Sequence, residues 1–144
     1  FCGLSHSLMR ARALVVTASE WDQWVIDQNT PAATPAEGTL AATGFEIYQA
    51  QCAGCHNVTY TDVDGVAVAA GPVTEVFNGP DLTHFAGRKV FAGASLPDEA
   101  TPYDEALTMW LANPPDVKPG SYMPNLGLTQ DEIDALKAWL ETLK

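Results

Sequence analysis

The segment Cys52-Ala-Gly-Cys55-His56 brings two thiols and an imidazole together within five residues. Two thiols at this spacing can form a redox disulfide, bind zinc, or add to the two vinyl groups of a porphyrin. A redox pair of the thioredoxin type needs a βαβ setting, which the surrounding segments lack. A zinc site needs a second pair of Cys or His at matching spacing, which the sequence does not contain. The pattern is therefore interpreted as covalent attachment of haem c through Cys52 and Cys55.

The imidazole of His56 directly follows the second thiol, so His56 is predicted to be one axial ligand of the iron. The candidates for the opposite ligand are His6, Met9, His84, Met109 and Met123. Met123 is favoured because it lies in a loop rich in Gly and Pro, where an apolar side chain needs an apolar surface such as a haem face. His84 stays open as the alternative, since imidazole also binds haem iron. Met109 falls on a predicted helix and is interpreted as a core residue.

The sequence is strongly acidic, with 18 acidic and 7 basic residues and a net charge of −11. This charge repels a phosphate backbone, so we expect no nucleic-acid partner and favour a basic or uncharged protein surface. No apolar run approaches the roughly 18 residues that a membrane-spanning helix needs, and the chain is expected to be soluble. Phe1 is interpreted as the start of a fragment, because neither a start Met nor a signal segment precedes it.

Two units with different composition follow one another along the chain. Residues 1–27 are interpreted as the first unit, with a strand at 12–17, which is rich in β-branched residues, and a short helix at 20–26 capped by Ser19. Residues 28–40 are interpreted as a linker, because two prolines and a glycine discourage regular structure.

Residues 41–144 form the second unit, which is predicted to be mostly α. A capping-box pattern of Thr43 with Glu46 starts a helix that runs into the thiol pair. Residues 57–97 contain many Gly and Pro and no long periodic segment. A further helix begins with Pro102 at its first helical position.

The last helix has the clearest pattern in the sequence. Thr129 and Glu132 form a second capping box, and apolar residues then recur at helical spacing. The residues predicted to be buried are Ile133, Leu136, Trp139, Leu140 and Leu143. The loop that carries Met123 lies shortly before this helix.

Residues 41–144 resemble the class I cytochromes c. In that family a Gly and an aromatic residue of the first helix pack against the last helix. Gly44 and Tyr48 match these positions, and Leu136 and Trp139 match their partners. The resemblance implies the class I cytochrome c fold.

Two further motifs carry this resemblance. Gly79-Pro80-x-Leu82 is similar to the family's stretch in which the Pro carbonyl accepts a hydrogen bond from the proximal imidazole, so Pro80 would orient His56. The surroundings of Met123 are similar to the family's axial-methionine loop. The stretch before Gly79 departs from the family pattern by its length, which leaves the partners of the haem propionates open. The candidates for that role are Arg88 and Trp110.

With His56 and Met123 both on the iron, no position is open for oxygen or a substrate. The resemblance therefore implies an electron carrier rather than a catalyst. A competing hypothesis, in which the chain is an enzyme such as a peroxidase or a ligand-binding sensor, requires a vacant sixth position.

Cys2, His6 and Met9 resemble the end of the copper A motif of cytochrome oxidase subunit II, where a His follows the Cys by four residues and a Met follows by three more. Thiolate, imidazole and thioether are ligands that copper prefers. The motif also needs a second Cys upstream and a distant His, so this chain is not expected to build the centre itself. Residues 14–17 would be the closing strand of a cupredoxin domain.

Together these resemblances imply the C-terminal part of a subunit II with a fused cytochrome c, as in caa-type haem–copper oxidases. Such a protein passes electrons from an external donor protein through haem c to the copper A domain of the same subunit, and other oxidase subunits then reduce oxygen. The family implies a membrane-anchored parent, with this domain in the periplasm or on the outer face of the bacterial plasma membrane. The alternative is a free-standing soluble cytochrome c that shuttles between respiratory complexes, which would not need residues 1–27.

Overall fold

The structure is a computed structural model that describes residues 3–71 and 79–144. The helices are α1 (Ala18–Gln28), α2 (Leu40–Ile47), α3 (Tyr103–Ala112), α4 (Pro114–Val117) and α5 (Gln130–Leu140). The strands are β1 (Ala32–Ala33), β2 (Val58–Thr61) and β3 (Ala67–Ala70). One π-helical turn (Tyr48–Cys52) continues α2, and short 3-10 turns lie at His6–Leu8 and Phe85–Gly87. The predicted mostly helical fold is confirmed, with a small sheet added. None of the described helices has the length and apolar character to cross a bilayer.

The core forms where α2 crosses α5. A methyl group added at Gly44 would overlap the carbonyl oxygen of Ala135 and lie 2.8 Å from Cβ of Trp139, so only glycine allows this approach. One turn further on, the ring centroids of Tyr48 and Trp139 are 4.5 Å apart. The predicted packing of Gly44 and Tyr48 against the last helix is confirmed.

Helix α5 begins and packs as its sequence pattern predicts. The N–H of Glu132 donates to the hydroxyl of Thr129 at 3.3 Å, and the N–H of Thr129 donates back to the Glu132 carboxylate at 2.8 Å. The predicted stripe is buried, with each side chain at most 4% exposed, although the helix ends at Leu140 and Leu143 lies beyond it. Burial of an apolar side chain of this size contributes about 1.5–3 kcal/mol, so the stripe is a principal anchor of the domain.

Strands β2 and β3 form an antiparallel hairpin that the sequence analysis did not predict. The carboxylate of Asp62 closes the hairpin by accepting hydrogen bonds from the N–H groups of Asp64 (3.0 Å) and Val66 (2.8 Å). Strand β1 pairs in parallel with β2, and Ala32 is buried. Part of the predicted irregular linker, 28–40, therefore belongs to the sheet, because its prolines bracket β1 instead of interrupting it.

Residues 12–17 do not form the predicted strand. They are without a ladder partner among the described residues, and Val15 is 100% exposed. A composition rich in β-branched residues gives a strand only where a neighbouring strand completes the hydrogen bonds. The helix that follows is confirmed as α1, but its cap is Thr17, whose hydroxyl accepts a hydrogen bond from the N–H of Glu20, rather than Ser19.

Two other helix starts differ from the prediction. The hydroxyl of Thr39 caps α2 by accepting a hydrogen bond from the N–H of Ala42 at 3.1 Å, and Thr43 lies inside the helix. The good helix formers Leu and Ala after Thr39 extend α2 by a turn toward the N-terminus. Pro102 precedes α3 as its cap residue and is not its first helical residue.

Candidate haem site

The two thiols lie where the π-helical turn ends. The N–H groups of Cys55 and His56 donate to the carbonyl oxygen of Cys52 at 3.0 and 2.9 Å, so one tight turn carries all three side chains. Neither thiol is in a disulfide. Burial, and after it the neighbouring Cys55, raises the pKa of the Cys52 thiol to about 11. A raised thiol pKa makes Cys52 a poor thiolate nucleophile, in contrast to the activated thiol of a thioredoxin-type pair.

The ring of His56 is fixed by the segment that contains Gly79 and Pro80. Its Nδ1 lies 2.8 Å from the carbonyl oxygen of Pro80. Because a carbonyl only accepts hydrogen bonds, Nδ1 carries the proton and Nε2 keeps a lone pair for a metal. A methyl group at Gly79 would overlap the imidazole, so glycine is needed for the chain to pass this close to the ring.

Asp81 holds this segment in position. Its carboxylate accepts hydrogen bonds from the side-chain amide of Asn57 at 2.6 Å and from the N–H of Thr83 at 2.8 Å. Burial raises the pKa of Asp81, but the hydrogen bonds from Thr83 and Asn57, together with the charge of Arg88, outweigh this effect and lower its pKa. Sequence reasoning missed Asp81, because its contact with Asn57 spans 24 positions and leaves no local signal.

Tyr48 connects the end of α2 to the thiol turn and the hairpin. Its hydroxyl lies 2.8 Å from the carbonyl oxygen of His56 and 2.5 Å from that of Ala70. Burial, and then the nearby Cys52 and Asp81, raises the pKa of Tyr48, so the hydroxyl stays neutral and serves as a donor.

The two candidates for the opposite ligand have different surroundings. Met123 lies half-buried in the loop before α5 and packs against the core. In His84, Nδ1 lies 2.9 Å from the carbonyl oxygen of Lys144 and Nε2 lies 3.1 Å from that of Gln28. Both ring nitrogens of His84 are thus engaged with the backbone, whereas a haem ligand needs one nitrogen with an available lone pair.

Met109 is not the core residue that the sequence predicts. Its side chain is 43% exposed, while Leu107 and Leu111 of the same helix are buried. The reason is helical phase, since residues two positions from Leu107 and Leu111 point away from the face that contacts α5.

The N-terminal candidates for iron or copper ligands lie far from the thiol turn in the sequence. His6 begins the 3-10 turn His6–Leu8 and Met9 follows it directly. Cys2 lies outside the described residues. Within residues 3–71 and 79–144, no three His, Cys, Asp or Glu side chains cluster as metal ligands.

Tyr103 is a polar residue of the core that the sequence analysis missed. Its hydroxyl is buried and has no hydrogen-bond partner among the described residues. Burial raises the pKa of Tyr103, and the nearby charge of Arg88 opposes that rise. A buried donor near a guanidinium suits an anionic oxygen such as a haem propionate. Arg88 itself donates to the carbonyl oxygen of Asp81 and lies over the ring of Phe85.

These residues fit a covalently attached haem. The site offers two thiols outside any disulfide, an imidazole with Nε2 available, and a glycine that clears the ring. The buried hydroxyl of Tyr103 has no partner among the described residues, so it can donate a hydrogen bond to a bound group such as a haem propionate. Half-buried apolar side chains at the edge of the core offer a surface for a porphyrin, among them Leu82, Trp110 and Met123.

Comparison with known proteins agrees with this chemistry. The chain matches the cytochrome c family over residues 41–144. Over 99% of its length it is also similar to proteins named cytochrome c oxidase subunit 2, with 32% identity to that of Alkalihalophilus pseudofirmus, 31% to that of Bacillus sp. PS3 and 30% to that of Bacillus subtilis. The chain spans 37% of the length of each of these relatives. Because the family match covers most of the chain and includes the thiol turn, the chain belongs to the cytochrome c family.

Proposed function

We propose that the chain carries electrons through one haem c attached to Cys52 and Cys55, with His56 and Met123 as axial ligands. The observation that carries this proposal is the 2.8 Å contact between Nδ1 of His56 and the carbonyl oxygen of Pro80, which places the proton of the neutral imidazole on Nδ1 and leaves Nε2 as the nitrogen that can bind a metal beside the thiol pair. When bound, the haem supplies an iron centre that accepts and releases one electron.

The protein's own residues would hold this centre in one geometry. The carbonyl of Pro80 makes the imidazole a stronger donor, and the two hydrogen bonds to Asp81 keep that carbonyl in place. The sulfur of Met123 would fill the sixth position, so neither oxygen nor a substrate binds there. Tyr103 and Arg88 would meet the propionates. The domain thus acts as a carrier and performs no catalysis of its own.

The axial assignment is tested by Met123→Ala with His84→Ala as its control. We expect Met123→Ala to abolish the weak far-red sulfur-to-iron absorption band of the oxidised protein and to let the reduced protein bind carbon monoxide. His84→Ala should retain the band and exclude carbon monoxide. Loss of the band in His84→Ala but not in Met123→Ala would reverse the assignment. Tight carbon monoxide binding by the unmodified protein would favour an enzyme or a sensor.

We further propose that this domain passes its electrons to a copper A centre in an upstream domain of the same polypeptide. Support comes from the name that the relatives share and from the spacing of Cys2, His6 and Met9. The parent would be a membrane-anchored oxidase subunit with this domain in the periplasm or on the outer face of the plasma membrane, served by an external donor protein. The copper centre would then also need ligands from that upstream domain.

This relay is tested on the full-length protein after photoreduction of its haem. We expect the haem to reoxidise in step with reduction of the copper A absorbance, at a rate that does not depend on protein concentration. A rate proportional to protein concentration would indicate transfer between molecules and favour the soluble-shuttle alternative.

A further inference from the structure

Asp81 lies beside both chain segments that hold the His56 ring. It directly follows Pro80, whose carbonyl oxygen is 2.8 Å from Nδ1 of that ring. Its own carboxylate accepts a 2.6 Å hydrogen bond from the side chain of Asn57, the residue that follows His56. One carboxylate is thus joined to the surroundings of the imidazole from two directions.

The carboxylate of Asp81 is bonded by neutral groups. The N–H of Thr83 donates to one of its oxygens at 2.8 Å, and the amide of Asn57 donates to the other. Arg88 lies close, but its guanidinium donates to the main-chain carbonyl oxygen of Asp81. Within residues 3–71 and 79–144 the carboxylate takes part in no salt bridge. Its negative charge therefore remains available to act on its surroundings.

The charge of Asp81 acts on a group that contacts the thiol turn. The hydroxyl of Tyr48 lies 2.8 Å from the carbonyl oxygen of His56. After burial and the nearby Cys52, the charge of Asp81 is the next cause that raises the pKa of this hydroxyl. The electrostatic influence of Asp81 therefore reaches the immediate surroundings of His56.

Oxidised haem iron carries one more positive charge than reduced haem iron, so a fixed negative charge on the histidine side stabilises the oxidised form more. A negative charge beside the acceptor of the Nδ1 proton also makes the imidazole a stronger electron donor, with the same effect. We infer that Asp81 is a positioning residue whose charge lowers the midpoint potential of a haem bound at His56. The inference rests on the proposed function in taking His56 as an iron ligand, and it does not depend on Met123.

Redox titration of the haem-loaded chain tests this inference. Asp81→Asn removes the charge, and its amide can still bond to Asn57 once that side chain turns over. At low ionic strength and a fixed applied potential, we expect the ratio of reduced to oxidised haem to rise roughly two- to fivefold. This rise corresponds to about 18–41 mV, at about 59 mV per tenfold for one electron. An unchanged ratio would overturn the inference.

Salt provides a readout that a purely structural role of Asp81 would not move. Asp81 is exposed, so dissolved ions can screen its charge. The difference between wild type and Asp81→Asn should therefore shrink strongly at about 1 M salt, where the screening length is about 3 Å. A difference that salt leaves unchanged would indicate altered geometry and would also overturn the inference.

Asp98→Asn is the matched control. The carboxylate of Asp98 also accepts main-chain hydrogen bonds within a turn, from Ala100 at 3.0 Å and Thr101 at 2.8 Å, and the variant changes the net charge by the same amount. Among the described residues, it accepts no hydrogen bond from the segments around His56 and Pro80. Its ratio should stay much closer to wild type than that of Asp81→Asn. Equal shifts would mean that net charge alone is responsible and would contradict a special role of Asp81.

An exchange variant, Asn57→Asp with Asp81→Asn, separates charge from geometry. It moves the carboxylate across the same 2.6 Å contact to the residue next to His56, so the ratio should return to the wild-type value or fall below it. A ratio that stays at the Asp81→Asn value would show that the charge is not the cause. Asp81→Ser, which keeps an oxygen for the N–H of Thr83, is a second neutral variant. If neither neutral variant retains haem, Asp81 is a structural residue and the inference fails.

The proposed function and the role of Asp81 can fail separately in the same samples. If wild type holds haem through its thiols and Asp81→Asn titrates identically, the proposed function stands and the role of Asp81 is wrong. If the far-red band is absent but the ratio rises as expected, the Met123 assignment fails and the role of Asp81 stands. If wild type does not attach haem at all, both are wrong.

Discussion

Nδ1 of His56 and the carbonyl oxygen of Pro80 lie 2.8 Å apart, although 24 positions separate the two residues in the sequence. This contact joins the thiol turn to a segment beyond the hairpin. It determines which ring nitrogen carries the proton, and therefore which nitrogen is available to a metal. The orientation of the imidazole depends on tertiary structure, and the variants below test the contacts that maintain it.

Gly79→Ala should displace the His56 ring, because the added methyl overlaps the imidazole. We expect a loss of about 1–3 kcal/mol in the free energy of unfolding, measured by urea denaturation, together with a lower yield of haem-loaded protein. Gly87→Ala is the matched control, since no heavy atom lies within 4 Å of its added methyl. The control should change stability by less than about 0.5 kcal/mol, and equal losses would contradict the crowding explanation.

Asp81→Asn should change how stability depends on pH. The pKa of Asp81 is lowered in the folded protein, so its stabilising effect is fully present above its unfolded pKa of about 3.9 and is lost as the pH falls through the lower folded value. The stability difference between wild type and variant should therefore be largest near pH 6 and shrink toward pH 3. Urea denaturation at both pH values measures it, and a constant difference would argue against a charged clamp.

Tyr48→Phe should lower the free energy of unfolding by about 1–3 kcal/mol, because it leaves the carbonyl oxygens of His56 and Ala70 without this donor. Tyr122→Phe is the control, since Tyr122 is 93% exposed and should change stability by less than about 0.5 kcal/mol. Thermal unfolding compares the two. A Tyr48→Phe protein as stable as the control would show that the hydroxyl adds nothing to the fold.

Gly44→Ala should separate α2 from α5. The methyl would overlap a backbone oxygen of α5, and a side-chain rotation cannot relieve this overlap. We therefore expect the free energy of unfolding to fall by about 1–3 kcal/mol or more. Urea denaturation measures it, with Gly87→Ala again as reference. A stable Gly44→Ala protein would mean that the two helices tolerate a wider crossing.

Local patterns predicted the parts of the fold that depend on nearby residues. The capping box of Thr129 and Glu132 and the buried stripe of α5 were read correctly, because helical spacing alone determines them. The β2–β3 hairpin was missed even though Asp64-Gly65 between two β-prone runs is a strong turn signal. The strand expected at 12–17 fails for the opposite reason, since its composition is suitable but the described residues contain no partner strand.

Other features have no local signal at all. Asp81 contributes to the site because the fold brings it to Asn57, which lies 24 positions away in the sequence. Tyr103 contributes because the fold buries its hydroxyl and packs its ring against Phe91, with the two ring centroids 5.3 Å apart. Neither distance could be read from spacing. Met109 illustrates the same limit, since its place on the outer side of α3 depends on which face of the helix meets α5.

The parallel pairing of β1 with β2 limits how far the upstream part of the polypeptide can move. Ala32 and Ala33 pair with Tyr60 and Thr61, a few residues beyond the thiol turn. Between the end of α1 and β1 only residues 29–31 remain, roughly 10 Å of extended chain. A partner tethered this closely experiences a high effective concentration, on the order of millimolar for short linkers. If the upstream part carries the proposed copper centre, electron exchange between the two parts would follow first-order kinetics.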